Sequence, residues 1–224
     1  MRLSPKAEII LVASVLTLFF NPSSAQAQPA LWEEVQTLKK FDQQYKTPPY
    51  PILFIGSSSI RKWDGLQVAF GAYNVINRGI GGAVVNDIIF YLNDIVFPYE
   101  PRQIVLYVGE NDLLDERSTA DSILSRTKKL YLLIRARLPS IPIIYISLKP
   151  SPSRDKFQQK AMETNRLVKN FFALEKNVVF VDIYSRMLKD GKSRSELFIE
   201  DQLHMNDAGY KIWEKAVRKY LIRK

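Results

Sequence analysis

Cysteine is absent from the 224 residues, and histidine occurs once, at His204. The first absence removes disulfides, thiolate nucleophiles and cysteine-ligated zinc together. The second rules out a multi-histidine metal site and leaves a single imidazole for acid–base work near neutral pH. A carboxylate-only magnesium site stays open on composition, but no motif asks for one, so neither metal nor cofactor is expected. No internal repeat or low-complexity segment occurs. No aromatic-plus-basic strand motif or helix-turn-helix pattern appears, which argues against nucleic acid as a partner. Glycine is scarce, nine residues in all, so its placement is informative.

What is present begins with the N-terminus. Arg2 and Lys6 open it, Ile9–Phe20 is almost wholly apolar, and Ala25-Gln26-Ala27 is a small-x-small pattern. The apolar run is short for a spanning helix, which needs about 20 residues. Residues 1–27 are therefore expected to be a signal peptide, with the mature chain starting near Gln28 and exported to the periplasm or beyond the cell; an uncleaved anchor is the alternative. Residues 28–224 are of a length for one domain. The formal charge is +9, and removal of residues 1–27 would leave +8. Much of it lies on two helical stretches, around Arg126–Arg137 and Lys211–Lys224. A solvated basic face accounts for this; electrostatic attraction to an anionic envelope surface or an acidic substrate is the sharper reading.

The segment from Leu31 to Lys46 reads as an amphipathic helix or helical arm within residues 28–50, closed by Pro48, Pro49 and Pro51. From residue 51 on, apolar runs alternate with longer helical patterns. Strands are expected at Ile52–Ile55, Tyr73–Asn77, Gln103–Val108, Ile143–Ser147 and Val178–Asp182. Helices are expected at Val84–Val96, Ser118–Leu138, Arg154–Leu174 and Asn206–Ile222. Ser118 with Asp121 fits a capping box, and Asn206 an N-cap. Such alternation implies βαβ units, hence a three-layer α/β/α domain with a five-stranded parallel sheet. Chemistry is then expected beyond the carboxyl ends of the strands.

Those ends carry Gly56-Ser57-Ser58-Ser59, Asn77-Arg78-Gly79-Ile80-Gly81-Gly82 and Gly109-Glu110-Asn111-Asp112, with Asp201-Gln202-Leu203-His204 before the last helix. Five of the nine glycines fall in these turns. The inventory fits serine-based acyl transfer, which needs a nucleophile, a base, an orienting carboxylate and oxyanion donors. His204 could take the proton of a serine at the first turn, and Asp201 is near enough to hold the other ring nitrogen. Asn111 and the Gly82 N–H could serve a developing oxyanion. On their own the serines read more readily as a polar turn or helix cap. No G-x-S-x-G is present, so a nucleophile elbow of the α/β-hydrolase kind is not supported.

The four blocks, in this order, resemble the SGNH-hydrolase or GDSL esterase/lipase family over Ile52–Tyr210. The resemblance implies a flavodoxin-like fold. It selects Ser58, two residues after Gly56, as nucleophile, with His204 as base and Asp201 as its partner. Ser58, Gly82 and Asn111 become the oxyanion donors. It implies no cofactor, and a small-molecule or lipid ester as substrate. Two positions depart from the family pattern: Ser57 stands where aspartate is usual, so hydrogen bonding there must differ, and Glu110 replaces a glycine, which bears on pocket polarity. Asp112 is expected to brace its loop. The segment Leu148–Arg154 borders the same edge, as substrate contact or as a proline-stiffened loop. A lipolytic esterase or lysophospholipase is the leading expectation. An O-acetyl esterase on envelope or plant polysaccharide is the alternative enzyme, and a catalytically inert ligand-binding module is the rival from another class.

Overall fold

The computed structural model describes residues 29–223. The expected signal peptide lies outside them. Five strands, β1 Ile52–Gly56, β2 Val75–Gly79, β3 Gln103–Tyr107, β4 Ile143–Ile146 and β5 Val178–Val181, pair in parallel. Their order is β2-β1-β3-β4-β5, the flavodoxin-like order. The helices are α1 Pro29–Gln44, α2 Ser58–Arg61, α3 Leu66–Ala69, α4 Val85–Phe90, α5 Leu92–Ile95, α6 Ala120–Arg137, α7 Gln158–Phe172 and α8 Asp207–Arg218. A small antiparallel hairpin pairs Leu188–Lys189 with Lys192–Ser193.

The strands read as unbroken apolar runs because both sheet faces are covered, and successive residues feed two separate cores. Phe54, Val105, Tyr107 and Ile144 pack on one side with Ile60, Leu66 and Trp213. Leu53, Ile104, Leu106 and Tyr145 pack on the other with Val35, Ile88, Leu130 and Val168. The result is the three-layer arrangement expected. Helix α8 shows the logic: Tyr210, Trp213, Ala216 and Val217 recur at three- and four-residue spacing, and all are buried. A fully buried aliphatic such as Val217 contributes roughly 1.5–3 kcal/mol.

Several boundaries differ from expectation. Strand β2 starts two residues later, because Gly71–Tyr73 forms a 3-10 turn closed by Asn74 at φ 47°. The helix expected over Val84–Val96 is broken at Tyr91 into α4 and α5. The capping box of α6 belongs to Thr119 and Ser122 rather than Ser118 and Asp121. Ser118 is instead buried and accepts a hydrogen bond from Arg126. Residues 152–157 form a 3-10 segment ahead of α7. The strand order reverses between β1 and β3, the place where open α/β sheets bind ligands.

Candidate active site

Strand β1 ends at Gly56, φ 137°, where a Cβ would lie 1.8 Å from the Tyr107 carbonyl oxygen of β3. Only glycine permits that approach. The chain then turns, the Ser57 N–H donates to the Tyr107 carbonyl at 3.0 Å, and Ser58 opens α2. Ser57 holds the N-cap position without a side-chain capping bond, and its buried Oγ has no partner among the described residues. Ser57 and Ser59 are each 1% exposed. Ser58 is half-buried, and its Oγ lies 2.9 Å from His204 Nε2.

His204 sits on a tight loop between residues 198 and 205, which form a β-bridge. Within it, Gln202 takes φ 53° and the Ile199 N–H donates to the His204 carbonyl. Asp201 Oδ1 accepts the backbone N–H groups of Leu203 and His204, at 2.9 and 2.8 Å. Its Oδ2 lies 2.5 Å from His204 Nδ1. With Nδ1–H donating to Asp201, Nε2 is left to accept the Ser58 hydroxyl. Burial pushes the Asp201 carboxyl up, but the hydrogen bonds from the His204 ring and the two backbone N–H groups outweigh it and hold the group well below the usual carboxylate range.

Around the second turn, three of four backbone donors are occupied. The Gly79 N–H donates to Asn77 Oδ1, Ile80 N–H to the Gly56 carbonyl, and Gly81 N–H to Glu34 Oε2. The N–H of Gly82, φ 73°, has no acceptor among the described residues, and neither has that of Ser58. Asn111 donates one amide hydrogen to the Ala83 carbonyl at 3.1 Å, which leaves the other uncommitted. Unpaired donors of this kind suit developing negative charge on an oxygen. Asp112 braces, as expected: it accepts the Val85 N–H and pairs with Arg126.

The family model of GDSL-like lipases and acylhydrolases matches residues 54–212, from the strand before Ser58 into the helix after His204. The chain belongs to that family. Three solved structures share the fold. A Streptococcus pneumonia protein has 23% identity over 86% of this chain and 93% of its own, with a TM-score of 0.74. A GDSL-like lipase from Bacteroides thetaiotaomicron has 20% identity over 84% and 96%, TM-score 0.72. An acetylxylan esterase from Geobacillus stearothermophilus has 17% identity over 80% and 98%, TM-score 0.63. No curated protein matches the sequence.

In this GDSL-like acylhydrolase, Glu110 does not face an open pocket. It is buried, with both carboxylate oxygens on Lys149 Nζ at 2.7 and 2.5 Å, and accepts Ser151 Oγ and Tyr107 Oη as well. Burial alone would raise its carboxyl; Lys149, Ser151 and Tyr107 bring it below the usual range. Burial lowers Lys149, and Glu110 opposes that shift. Glu110 directly precedes Asn111, so the pair anchors an oxyanion candidate from behind. The sequence places Leu148–Arg154 on this edge but does not pair Lys149 and Ser151 with Glu110. The available signal was a lysine just past the end of β4, on the same sheet edge as Glu110. Segment 148–154 also touches the histidine loop, since the Ser153 N–H donates to the Gln202 carbonyl. Arg154 lines a cavity of about 10 Å³ with Lys149 and Tyr184. Among the described residues no cluster of three or more His, Asp or Glu is placed to hold a metal ion, and no helix is long and apolar enough to cross a membrane.

Proposed function

We propose that the chain hydrolyses carboxylic esters by acyl transfer through Ser58. The carrying observation is the continuous hydrogen-bonded line from Ser58 Oγ through His204 to Asp201. Ser58 Oγ attacks the carbonyl carbon while its proton passes to His204 Nε2. Asp201 holds the ring and stabilises the imidazolium. The N–H groups of Ser58 and Gly82 and the Asn111 amide receive the oxyanion. Collapse breaks the bond to the alcohol, which leaves with the proton from His204. Water then attacks the acyl-enzyme, gives a proton to His204, and the acid departs as Ser58 recovers its hydrogen.

The leading substrate reading is a lysophospholipid or a short-to-medium-chain ester, met outside the cytoplasm after export, with the basic face against an anionic envelope surface. A second reading is removal of acetyl groups from a polysaccharide. It is favoured by an open space of about 1050 Å³ lined by His204, by Trp63, Val68 and Ile199, and by Lys62, Asp64 and Lys211. Such a mixed lining suits a polar leaving group with a small acyl part. One of the structurally similar proteins is an acetylxylan esterase. Rates on acetyl, butyryl and lauroyl p-nitrophenyl esters, lysophosphatidylcholine and acetylated xylan separate these readings. Ser58→Ala and His204→Ala are each expected to abolish turnover of the best substrate. Full activity in Ser58→Ala would reject the mechanism, and a fluorophosphonate that fails to label Ser58 would favour an inert binding module.

A further inference from the structure

Helix α1 precedes the family-matched residues 54–212, yet it reaches the oxyanion turn. Glu34 Oε2 accepts the Gly81 N–H at 2.9 Å, and Glu34 Oε1 lies 3.4 Å from Arg61 Nε. Arg61 is three residues past Ser58 and covers Gly81: a Cβ on Gly81 would meet Arg61 Cζ at 2.9 Å. One carboxylate therefore ties the nucleophile helix to the turn that ends in Gly82. Helix α1 is itself well held. Val35 is fully buried in the core, and Asp42 takes both the Arg78 guanidinium and the Tyr99 hydroxyl. Arg78 immediately precedes Gly79, so α1 grips the turn near both ends.

We propose that Glu34 is a positioning residue for the oxyanion turn, an inference that rests on the acyl-transfer reading above. The Gly81-Gly82 peptide has wide conformational freedom. With the Gly81 N–H bound, only the Gly82 N–H remains to face the reacting oxygen. Without Glu34, two adjacent N–H groups compete for that direction and the peptide is free to rotate. Arg61 offsets the negative charge of Glu34, which would otherwise repel an oxyanion one residue away.

The test compares the wild type with Glu34→Ala, Glu34→Gln and Ser58→Ala by kcat and KM on p-nitrophenyl butyrate, by fluorophosphonate labelling and by Tm. Glu34→Ala is expected to lower kcat about 10- to 100-fold, part of the value of a whole oxyanion donor. KM should stay within about twofold, because the interaction acts in the transition state. Glu34→Gln keeps an acceptor for the Gly81 N–H and should recover most of kcat. Affinity for a boronic acid that forms a tetrahedral adduct on Ser58 should fall in step with kcat. If Glu34→Ala does not fold, Glu34→Leu removes the acceptor while keeping side-chain bulk. A folded variant lacking the acceptor that keeps wild-type kcat overturns the proposal, as does a Glu34→Gln as impaired as Glu34→Ala. A wild type that neither turns over the ester nor takes the label sinks the acyl-transfer reading, and this inference with it.

Discussion

Ser58, His204 and Asp201 form one hydrogen-bonded line, with one proton between Ser58 Oγ and His204 Nε2 and another between His204 Nδ1 and Asp201. Asp201→Asn keeps the shape but lets the ring settle in the other tautomer, with Nε2–H toward Ser58. A loss of about 10³- to 10⁴-fold in kcat is expected, as for the corresponding change in serine proteases. Asp201 also links stability to pH. Its carboxyl is depressed in the folded state by His204 and two backbone N–H groups working against burial. A depressed acid stabilises the fold fully above its ordinary value of about 3.9 and loses that contribution as pH falls toward the folded-state value. The Tm difference between wild type and Asp201→Asn should therefore be largest near neutral pH and shrink below about pH 4. An unchanged difference at pH 3 would argue against the depression. The side chain is 41% exposed, so solvent screening keeps the effect small.

At the scale of elements, the ends of β3 and β4 are joined by a buried charge pair. Lys149 has a fully buried side chain, and Glu110 accepts from three donors. Removing one member strands the other. Lys149→Met is expected to cost about 3–5 kcal/mol in urea unfolding, while the double variant with Glu110→Gln recovers part of that loss. A single variant as stable as the wild type would show that the pair is not closed in solution. The same elements show the reach of local patterning. Asn206 caps α8 as its sequence position implies, with its Oδ1 accepting from Ala208 and Gly209. The interruption at Tyr91 has no proline or glycine to announce it, so an apolar helical pattern ran across it. Ser118 and Thr119 are both plausible caps, and only the burial of Ser118 against Arg126 separates them.

For the whole molecule, one sheet with a core on each face sets the turns of interest on one edge, and Glu34 of α1 reaches that edge at Gly81. Export belongs at this scale as well. Edman sequencing of the protein recovered from the periplasm or medium should begin near Gln28. Recovery of an intact Met1 in that fraction would count against the signal-peptide reading. We propose that the +8 left after removal of residues 1–27 draws the protein to an anionic envelope surface, an attraction that acts within about a Debye length and weakens with added salt.

The sequence by itself determined the fold class and left one candidate for the proposed base. Alternating apolar runs admit little but a covered parallel sheet, and a chain with one histidine has one imidazole to offer. Spacing from Gly56 singles out Ser58 only through family resemblance. The tertiary structure decided which of three adjacent hydroxyls meets His204, 146 residues away. It also decided that Glu110 meets Lys149 across 39 residues, and that Glu34 meets Gly81 across 47. These contacts depend on strand register and on how α1 seats against the sheet. Such distances are set by packing between segments, which no local window of sequence contains.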